Sequence, residues 1–199
     1  MPDYTFENNA KLNGYKIVCG VDEAGRGPLA GPVCAAAVIL PENCQIVGLD
    51  DSKKISEKKR AVLFDEIIEK AVSYCVAYGT VEEIEQFNIL NATFLAMNRA
   101  IDGLSVKPDF ALIDGNQTPK GVKIPVETVV KGDSKSMSIA AASILAKVTR
   151  DRLLTEYDKK YPMYNFKKHK GYGTKEHYEM IKKYGICDIH RKSFLKGIV

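Results

Sequence analysis

Four carboxylates stand where short apolar runs of the 199-residue chain give out, and their surroundings are the first feature with chemical content. Asp22 and Glu23 follow the run 16–21 and precede Ala24-Gly25-Arg26-Gly27-Pro28. Asp114 ends Ala111-Leu112-Ile113 and is followed by Gly115-Asn116, and Asp133 lies between the run 126–130 and an alanine-rich stretch. Adjacent side chains of a regular strand face opposite sides, so Asp22 and Glu23 share a site only if the strand bends or one of them also offers its backbone carbonyl. Asp before Gly is also a common turn, and Asp ahead of a helix a common cap, so Asp114 and Asp133 each have a structural reading as well. Taken together the four are hard oxygen donors with no convergent His and Cys set, which suits Mg²⁺ or Mn²⁺ better than zinc. Two such cations about 4 Å apart activate an attacking water and stabilise the leaving oxygen of an in-line phosphoryl displacement. That is the chemistry of a nuclease.

The glycines after the first pair invite a different reading. Gly25-Arg26-Gly27-Pro28-Leu29-Ala30 fits the dinucleotide-binding spacing G-x-G-x-x-A, with Asp50 and Asp51 somewhat downstream. That motif needs a helix next, whereas Gly31-Pro32 and the run 33–40 read as a strand, and the carboxylates before it would repel a pyrophosphate. The dinucleotide reading is therefore rejected.

The elements that must position these residues follow from periodicity. Apolar, β-branched runs at 16–21, 33–40, 74–79, 110–113 and 126–130 predict five strands. Helical spacing of Ala61, Leu63, Phe64, Ile67, Ile68 and Ala71 predicts a helix over 56–72 capped by Ser56, and the pattern repeats over 89–104 before Lys107-Pro108. A long third helix is predicted over 136–161, and a shorter one over 175–184 between Thr174 and Gly185. The first dozen residues read as a loose polar terminus, and no repeat, linker or low-complexity tract divides the chain. The expectation is one α/β domain over residues 1–199, a mixed sheet covered by helices.

Composition narrows the class. The chain is 45% hydrophobic and 27% charged, without a long apolar run or a leader-like start, and so is expected to be soluble and cytoplasmic. Five scattered cysteines, never spaced as Cys-x-x-Cys, indicate neither a disulfide framework nor a zinc site. The net charge is +4, yet from residue 131 onward 16 Lys and Arg face only 7 Asp and Glu. A basic C-terminal region beside an acidic centre points to a polyanionic partner held with the help of cations, although many solvated faces are also lysine-rich.

Six segments then coincide with one family. Gly20-Val21-Asp22-Glu23-Ala24-Gly25-Arg26-Gly27-Pro28, Asp51-Ser52-Lys53-Lys54, Ile113-Asp114-Gly115-Asn116, Val130-Lys131-Gly132-Asp133-Ser134, the run from Ala141-Ala142-Ser143 to Thr149-Arg150-Asp151, and His169-Lys170-Gly171-Tyr172-Gly173-Thr174 occur in its order and with its approximate spacing. The chain resembles bacterial ribonuclease HII, of the type 2 ribonuclease H family. The resemblance implies a ribonuclease H-like fold, a five-stranded mixed sheet flanked by helices, with a helical C-terminal extension from about residue 161. It implies two divalent cations, Mn²⁺ or Mg²⁺, on a catalytic quartet of Asp22, Glu23, Asp114 and Asp133. In that division of labour Asp22 bridges the ions, Glu23 and Asp114 complete one coordination sphere, and Asp133 holds the other and helps orient water.

The same resemblance gives the backbone of Gly25, Arg26 and Gly27 the task of sensing a ribose 2′-hydroxyl, where a Cβ would hold the sugar away. Tyr172 would stack on the deoxyribose that follows the ribonucleotide, the alternative being a half-buried core tyrosine. Lys53, Lys54, Lys167, Lys168, His169 and Lys170 are candidate phosphate contacts or a merely solvated basic face. The three histidines are read as hydrogen-bonding or packing residues rather than ligands, and the segment from His190 to Phe194 as packing the extension onto the core. The implied substrates are RNA–DNA hybrids and DNA duplexes containing ribonucleotides, cut 5′ of the ribonucleotide by a monomer. The rivals are ribonuclease HIII, a resolvase or other two-metal nuclease of the same fold, and a binding module without catalysis. The short N-terminus argues against ribonuclease HIII, the Gly-Arg-Gly turn with Tyr172 against a resolvase, and the four carboxylates against a pure phosphate binder.

Overall fold

Small, apolar residues in the centre of the chain dictate a sheet covered on both faces. The run Val33–Ile39 is buried at every position, so it cannot be a strand with one wet face. Its side chains divide with a period of two. Val33, Ala35, Ala37 and Ile39 pack on one face with Ala92, Ala96, Met97 and Ala100, while Cys34, Ala36 and Val38 pack on the other with Leu63, Ile67, Ala141 and Leu145. The structure, a computed structural model, describes residues 1–50, 52 and 55–197. Its five strands are β1 (Val18–Ala24), β2 (Val33–Ile39), β3 (Ser73–Gly79), β4 (Phe110–Asp114) and β5 (Val126–Val129). They form one mixed sheet in the order β3-β2-β1-β4-β5, antiparallel on the β3-β2-β1 side and parallel from β1 through β4 to β5.

That order decides where the acids go. The parallel register pairs Val21 with Ile113, so the residues that follow, Asp22 and Asp114, come at neighbouring positions of adjacent strands. Among the described residues six helices surround the sheet: α1 (Thr5–Leu12), α2 (Glu57–Lys70), α3 (Val81–Asp102), α4 (Met137–Lys160), α5 (Phe166–His169) and α6 (Lys175–Tyr184). The first two-thirds of α4 is buried on almost every side, which is why its sequence starts Ser-Ile-Ala-Ala-Ala-Ser rather than with an amphipathic stripe. It lies so close to β1 that a Cβ on Gly20 would stand 2.1 Å from the Ser138 carbonyl carbon. Only glycine admits that approach.

The strands and the helices α2, α4 and α6 lie where the sequence places them, with three differences. The loose N-terminus expected of the first dozen residues is instead the helix α1, held against the start of α4. Glu7 Oε1 accepts from the Ser136 hydroxyl at 2.6 Å, the Ser138 hydroxyl at 2.6 Å and the Ser138 amide at 2.9 Å, and the amide of Met137 donates to Asp3 O. A buried carboxylate at a helix N-terminus is favoured by the helix dipole. Helix α3 starts at Val81 instead of residue 89, with a capping box between Thr80 and Glu83. A break at Asn88 (φ 69°, ψ 167°) separates the added piece, and Asn88 Oδ1 caps the second piece through the Asn91 amide. Finally, β1 runs on through Asp22, Glu23 and Ala24.

Beyond α4, the turn Pro162–Tyr164, α5, α6 and the turn Lys192–Phe194 build a satellite core of Tyr164, Phe166, Ile181, Ile189 and Leu195 around Leu29, Ala30 and Leu154. The extension thus packs on the loop between β1 and β2. No helix among the described residues is long and apolar enough to cross a membrane.

Candidate active site

A cleft of about 490 Å³ opens where β1 and β4 end beside α4, and it gathers Asp22, Glu23, Asp114 and Asp133 with Gly25, Arg26, Gly27 and Tyr172. Of the two ways for Asp22 and Glu23 to share a site, a strand broken by a bulge is not what β1 shows. Pairing with β2 runs without a bulge from Gly20↔Val38 to Ala24↔Cys34. Asp22 and Glu23 share the cleft because it wraps over the strand end: Ser143 of α4 lines it beside Asp22, whereas Glu23 also borders a smaller pocket on the side of α3, with Leu90 and Met97.

Asp22 is 5% exposed. Burial, then the neighbouring charges of Glu23 and Asp114, push its carboxyl well above the ordinary carboxylate range, against hydrogen bonding from Ser143 and the Glu23 amide. The amide of Glu23 donates to Asp22 Oδ1 at 2.7 Å, and the Ser143 and Ser52 hydroxyls lie 3.0 Å apart. Asp114 Oδ1 accepts from the Gly132 amide at 2.6 Å, which ties the end of β4 to the turn Gly132–Ser134 carrying Asp133. Left-handed Lys131 (φ 57°) turns the chain into it. Glu23 faces Arg26 at 3.4 Å, and Lys147, on the α4 wall, pairs with Asp151 at 2.8 Å.

A crowded set of oxygen donors, one of them destabilised as an anion by its neighbours, is the donor chemistry that a divalent cation satisfies. Among the described residues no three His, Cys, Asp or Glu side chains are arranged to hold one ion, with Glu23 turned to Arg26 and Asp114 to Gly132. The strand ends that carry Asp22, Glu23 and Asp114 nevertheless share the cleft with Asp133.

The two glycines of the turn differ in kind. At Gly25 (φ +94°) a Cβ would lie 1.9 Å from Arg150 Nε, so this glycine is required by the protein's own interior. At Gly27 a Cβ would meet only the Tyr172 ring, at 3.8 Å, and would face the cleft. The expectation that either Cβ would hold a sugar away is thus corrected for Gly25. Sequence reasoning missed what fixes the turn. Arg191 donates to the carbonyls of Gly25, Arg26 and Gly31, and Arg150 to those of Ala30, Pro32 and Lys170. The signal was weak, since nothing in a sequence distinguishes a buried arginine bound to carbonyls from a solvated one.

Tyr172 is 43% exposed at the cleft rim, which removes the core alternative. Lys170 is turned back, its side chain 14% exposed with Nζ 3.8 Å from Glu57, and Lys168 pairs with Glu176 at 2.8 Å. His169 is not a phosphate contact: it is buried, with Nε2 2.7 Å from Tyr164 O and Nδ1 accepting from the Gly171 amide. Lys53 and Lys54 lie outside the described residues. His177 and His190 are also buried and pack against Phe166. β2 follows the glycine turn, as the rejection of a dinucleotide site requires.

The family model described as Ribonuclease HII matches residues 19–196, a span that takes in the cleft and the extension. The chain belongs to the ribonuclease HII family. Ribonuclease HII of Clostridioides difficile (strain 630) is 57% identical over 194 residues, covering 98% of this chain and 76% of that protein. The Caldicellulosiruptor saccharolyticus ribonuclease HII is 54% identical over 196 residues, covering 98% and 95%. Among solved structures, ribonuclease H2 from Pyrococcus horikoshii OT3 superposes with a TM-score of 0.77 at 29% identity, over 92% of this chain and 97% of that one. The five-stranded mixed sheet with its flanking helices is therefore the ribonuclease H-like fold, and the chain is a ribonuclease H of type 2, a divalent-metal endonuclease.

Proposed function

We propose that the enzyme hydrolyses the phosphodiester immediately 5′ of a ribonucleotide, in RNA–DNA hybrids and at ribonucleotides embedded in duplex DNA. The products are a 3′-hydroxyl and a 5′-phosphate, and the cut begins the removal of ribonucleotides from DNA. One observation carries this reading: a single cleft joins four carboxylates to an open glycine and an exposed tyrosine. Acid alone would make a general nuclease; the turn and the ring add recognition of a sugar.

Two Mg²⁺ or Mn²⁺ ions, when bound, would supply an activated water and neutralise charge on the leaving oxygen. Asp22, the most buried of the four, would be shared between them, Glu23 and Asp114 would hold one, and Asp133 would hold the other and help orient the water. Glu23 leaves Arg26 to do so, which frees the guanidinium for a phosphate. The Gly25-Arg26-Gly27 backbone meets the ribose, with Gly27 facing the sugar and an amide or carbonyl reading the 2′-hydroxyl that DNA lacks. Tyr172 lays its ring on the next sugar. Arg26, Lys53, Lys54 and, after leaving Glu57, Lys170 contact the phosphates. We further propose that it works as a monomer in the cytoplasm; the five free thiols suit a reducing compartment.

The test is to map cuts in duplexes carrying zero, one or four consecutive ribonucleotides with Mg²⁺ or Mn²⁺. Cleavage 5′ of the ribonucleotide in the second and third, and none in the first, is expected. Cutting of all-DNA duplex, or cuts placed without regard to the ribonucleotide, would overturn the reading.

A further inference from the structure

We propose that Arg150 and Arg191 are positioning residues that join the glycine turn and the Tyr172 loop into one unit, so that the two sugar-reading elements gain or lose their geometry together. The assignment rests on Gly25 to Gly27 reading the ribose and Tyr172 the sugar after it. Both guanidiniums are almost wholly buried, at 1% and 0% exposure. Their hydrogen bonds go to main-chain carbonyls rather than carboxylates. Arg150, on α4, donates from Nε to Pro32 O, from Nη1 to Lys170 O and from Nη2 to Ala30 O, each at 3.0 Å. Arg191, in the C-terminal segment, donates from Nε to Gly31 O and from Nη1 to Arg26 O, both at 2.8 Å, and from Nη2 to Gly25 O at 2.6 Å.

Taking a guanidinium out of water is costly, and carbonyl dipoles repay less of that cost than a carboxylate would. Apolar packing would fill the same space more cheaply. What an arginine supplies instead is a planar fork of donors with fixed angles, able to hold three carbonyls at set distances. Here the forks span separate segments. Arg150 links the entry to β2 with Lys170, two residues before Tyr172, while Gly25 is pressed directly on its side chain. Arg191 holds both peptides that flank Arg26. Backbone bonds close the arrangement, from the Leu29 amide to Gly171 O and from the Arg191 amide to Leu29 O, each at 2.8 Å. A shift of either guanidinium therefore moves the turn, and through Arg150 the tyrosine with it.

Lysine keeps the charge and most of the length but not the fork. The experiment is single-turnover cleavage at saturating enzyme of a duplex with one ribonucleotide and of a continuous RNA–DNA hybrid. The proteins are wild type, Arg150→Lys, Arg191→Lys, Tyr172→Ala, the double variant Arg150→Lys/Tyr172→Ala, and the packing control Ile181→Ala, with melting temperatures for all. Each lysine variant is expected to lose at least tenfold more rate on the single ribonucleotide than on the hybrid. Ile181→Ala, which opens a cavity in the same extension, should keep the wild-type ratio despite a similar drop in melting temperature. Tyr172→Ala should cost several-fold less in the Arg150→Lys background than in wild type, because the ring is already misplaced. Equal losses on both substrates, or fully independent effects of the two substitutions, overturn the assignment. If Tyr172→Ala alone leaves the substrate ratio of wild type unchanged, the sugar-reading role itself falls, and the coupling with it. Where a lysine variant does not fold, the glutamine variant, which retains an amide donor pair, replaces it with the same expectations.

Discussion

At the scale of single residues the cleft divides side chains that do chemistry from those that make room for it. The two glycines separate cleanly. Gly27→Ala should fold as wild type and lose selectivity for the 2′-hydroxyl, since its methyl enters only the cleft. Gly25→Ala should instead lose stability: left-handed strain and the collision with Arg150 together cost roughly 2–3 kcal/mol, which lowers Tm by about 5–10 °C in a chain of this size. Melting curves beside cleavage of ribonucleotide and all-DNA duplexes check both; a fully stable Gly25→Ala would refute the interior role. Tyr172→Ala should lose ~10- to 100-fold in rate on a single embedded ribonucleotide, as expected of a ring contact of roughly 1–3 kcal/mol. Tyr172→Phe should keep most of the rate, and a severe loss there would shift the weight to the hydroxyl. The four carboxylates stood out before any fold was known because each follows an apolar run, although a turn or a cap also accounts for Asp114 or Asp133 alone; the structure adds that one cleft gathers them. Arg150 and Arg191 were not, because their partners are carbonyls from segments far away in sequence, and carbonyls leave no trace in side-chain types.

The elements were legible where a segment is plainly apolar, periodic or capped. Five strands follow from apolar runs, α2 from helical spacing, α4 from its alanine-rich start and α6 from Thr174 and Gly185, but α1 buries little more than Ala10 and Glu7, and the opening piece of α3 chiefly Ile84. Their helicity comes from capping and from Glu7 on the serines of α4, signals that a hydrophobic pattern does not carry. The extension holds a second hidden device. Cys187 N donates to His190 Nδ1 at 2.9 Å, which leaves His190 Nε2–H to donate to His177 Nε2 at 3.0 Å and His177 Nδ1–H to donate to Tyr172 O at 2.9 Å. Every nitrogen is used only when both rings are neutral. Burial accordingly pushes both histidines down to about 4 from an ordinary 6.5. Because the folded values lie below the unfolded ones, the unfolded chain binds more protons between those limits, and stability is full above about pH 6.5 and declines as pH falls toward 4. Urea midpoints at pH 7.5 and pH 5 should show the loss, and His190→Gln should flatten it. A midpoint indifferent to pH in wild type would contradict the neutral relay.

At the scale of the whole molecule the acidic cleft belongs to a chain whose last third is basic, with 16 Lys and Arg against 7 Asp and Glu from residue 131 onward. Such a surface should bind duplexes with an affinity that falls steeply with salt, each neutralised phosphate adding about −0.9 to the log–log slope. Arg26→Ala should flatten that slope by about one contact, as Arg26 is half exposed at the cleft; a salt-independent affinity, measured in chelator, would make the basic C-terminal region a solvated surface. The central claim is narrower: the carboxylates joined in the cleft carry out the cut that the glycine turn and Tyr172 direct. It is tested most directly by the single-turnover rate of Asp22→Asn on a duplex with one ribonucleotide at saturating Mn²⁺, compared with wild type of matched folded fraction. A fall on the order of 1,000-fold or more, with Tm preserved or raised because a buried like charge has been removed, is the predicted result. A rate within tenfold of wild type would contradict it.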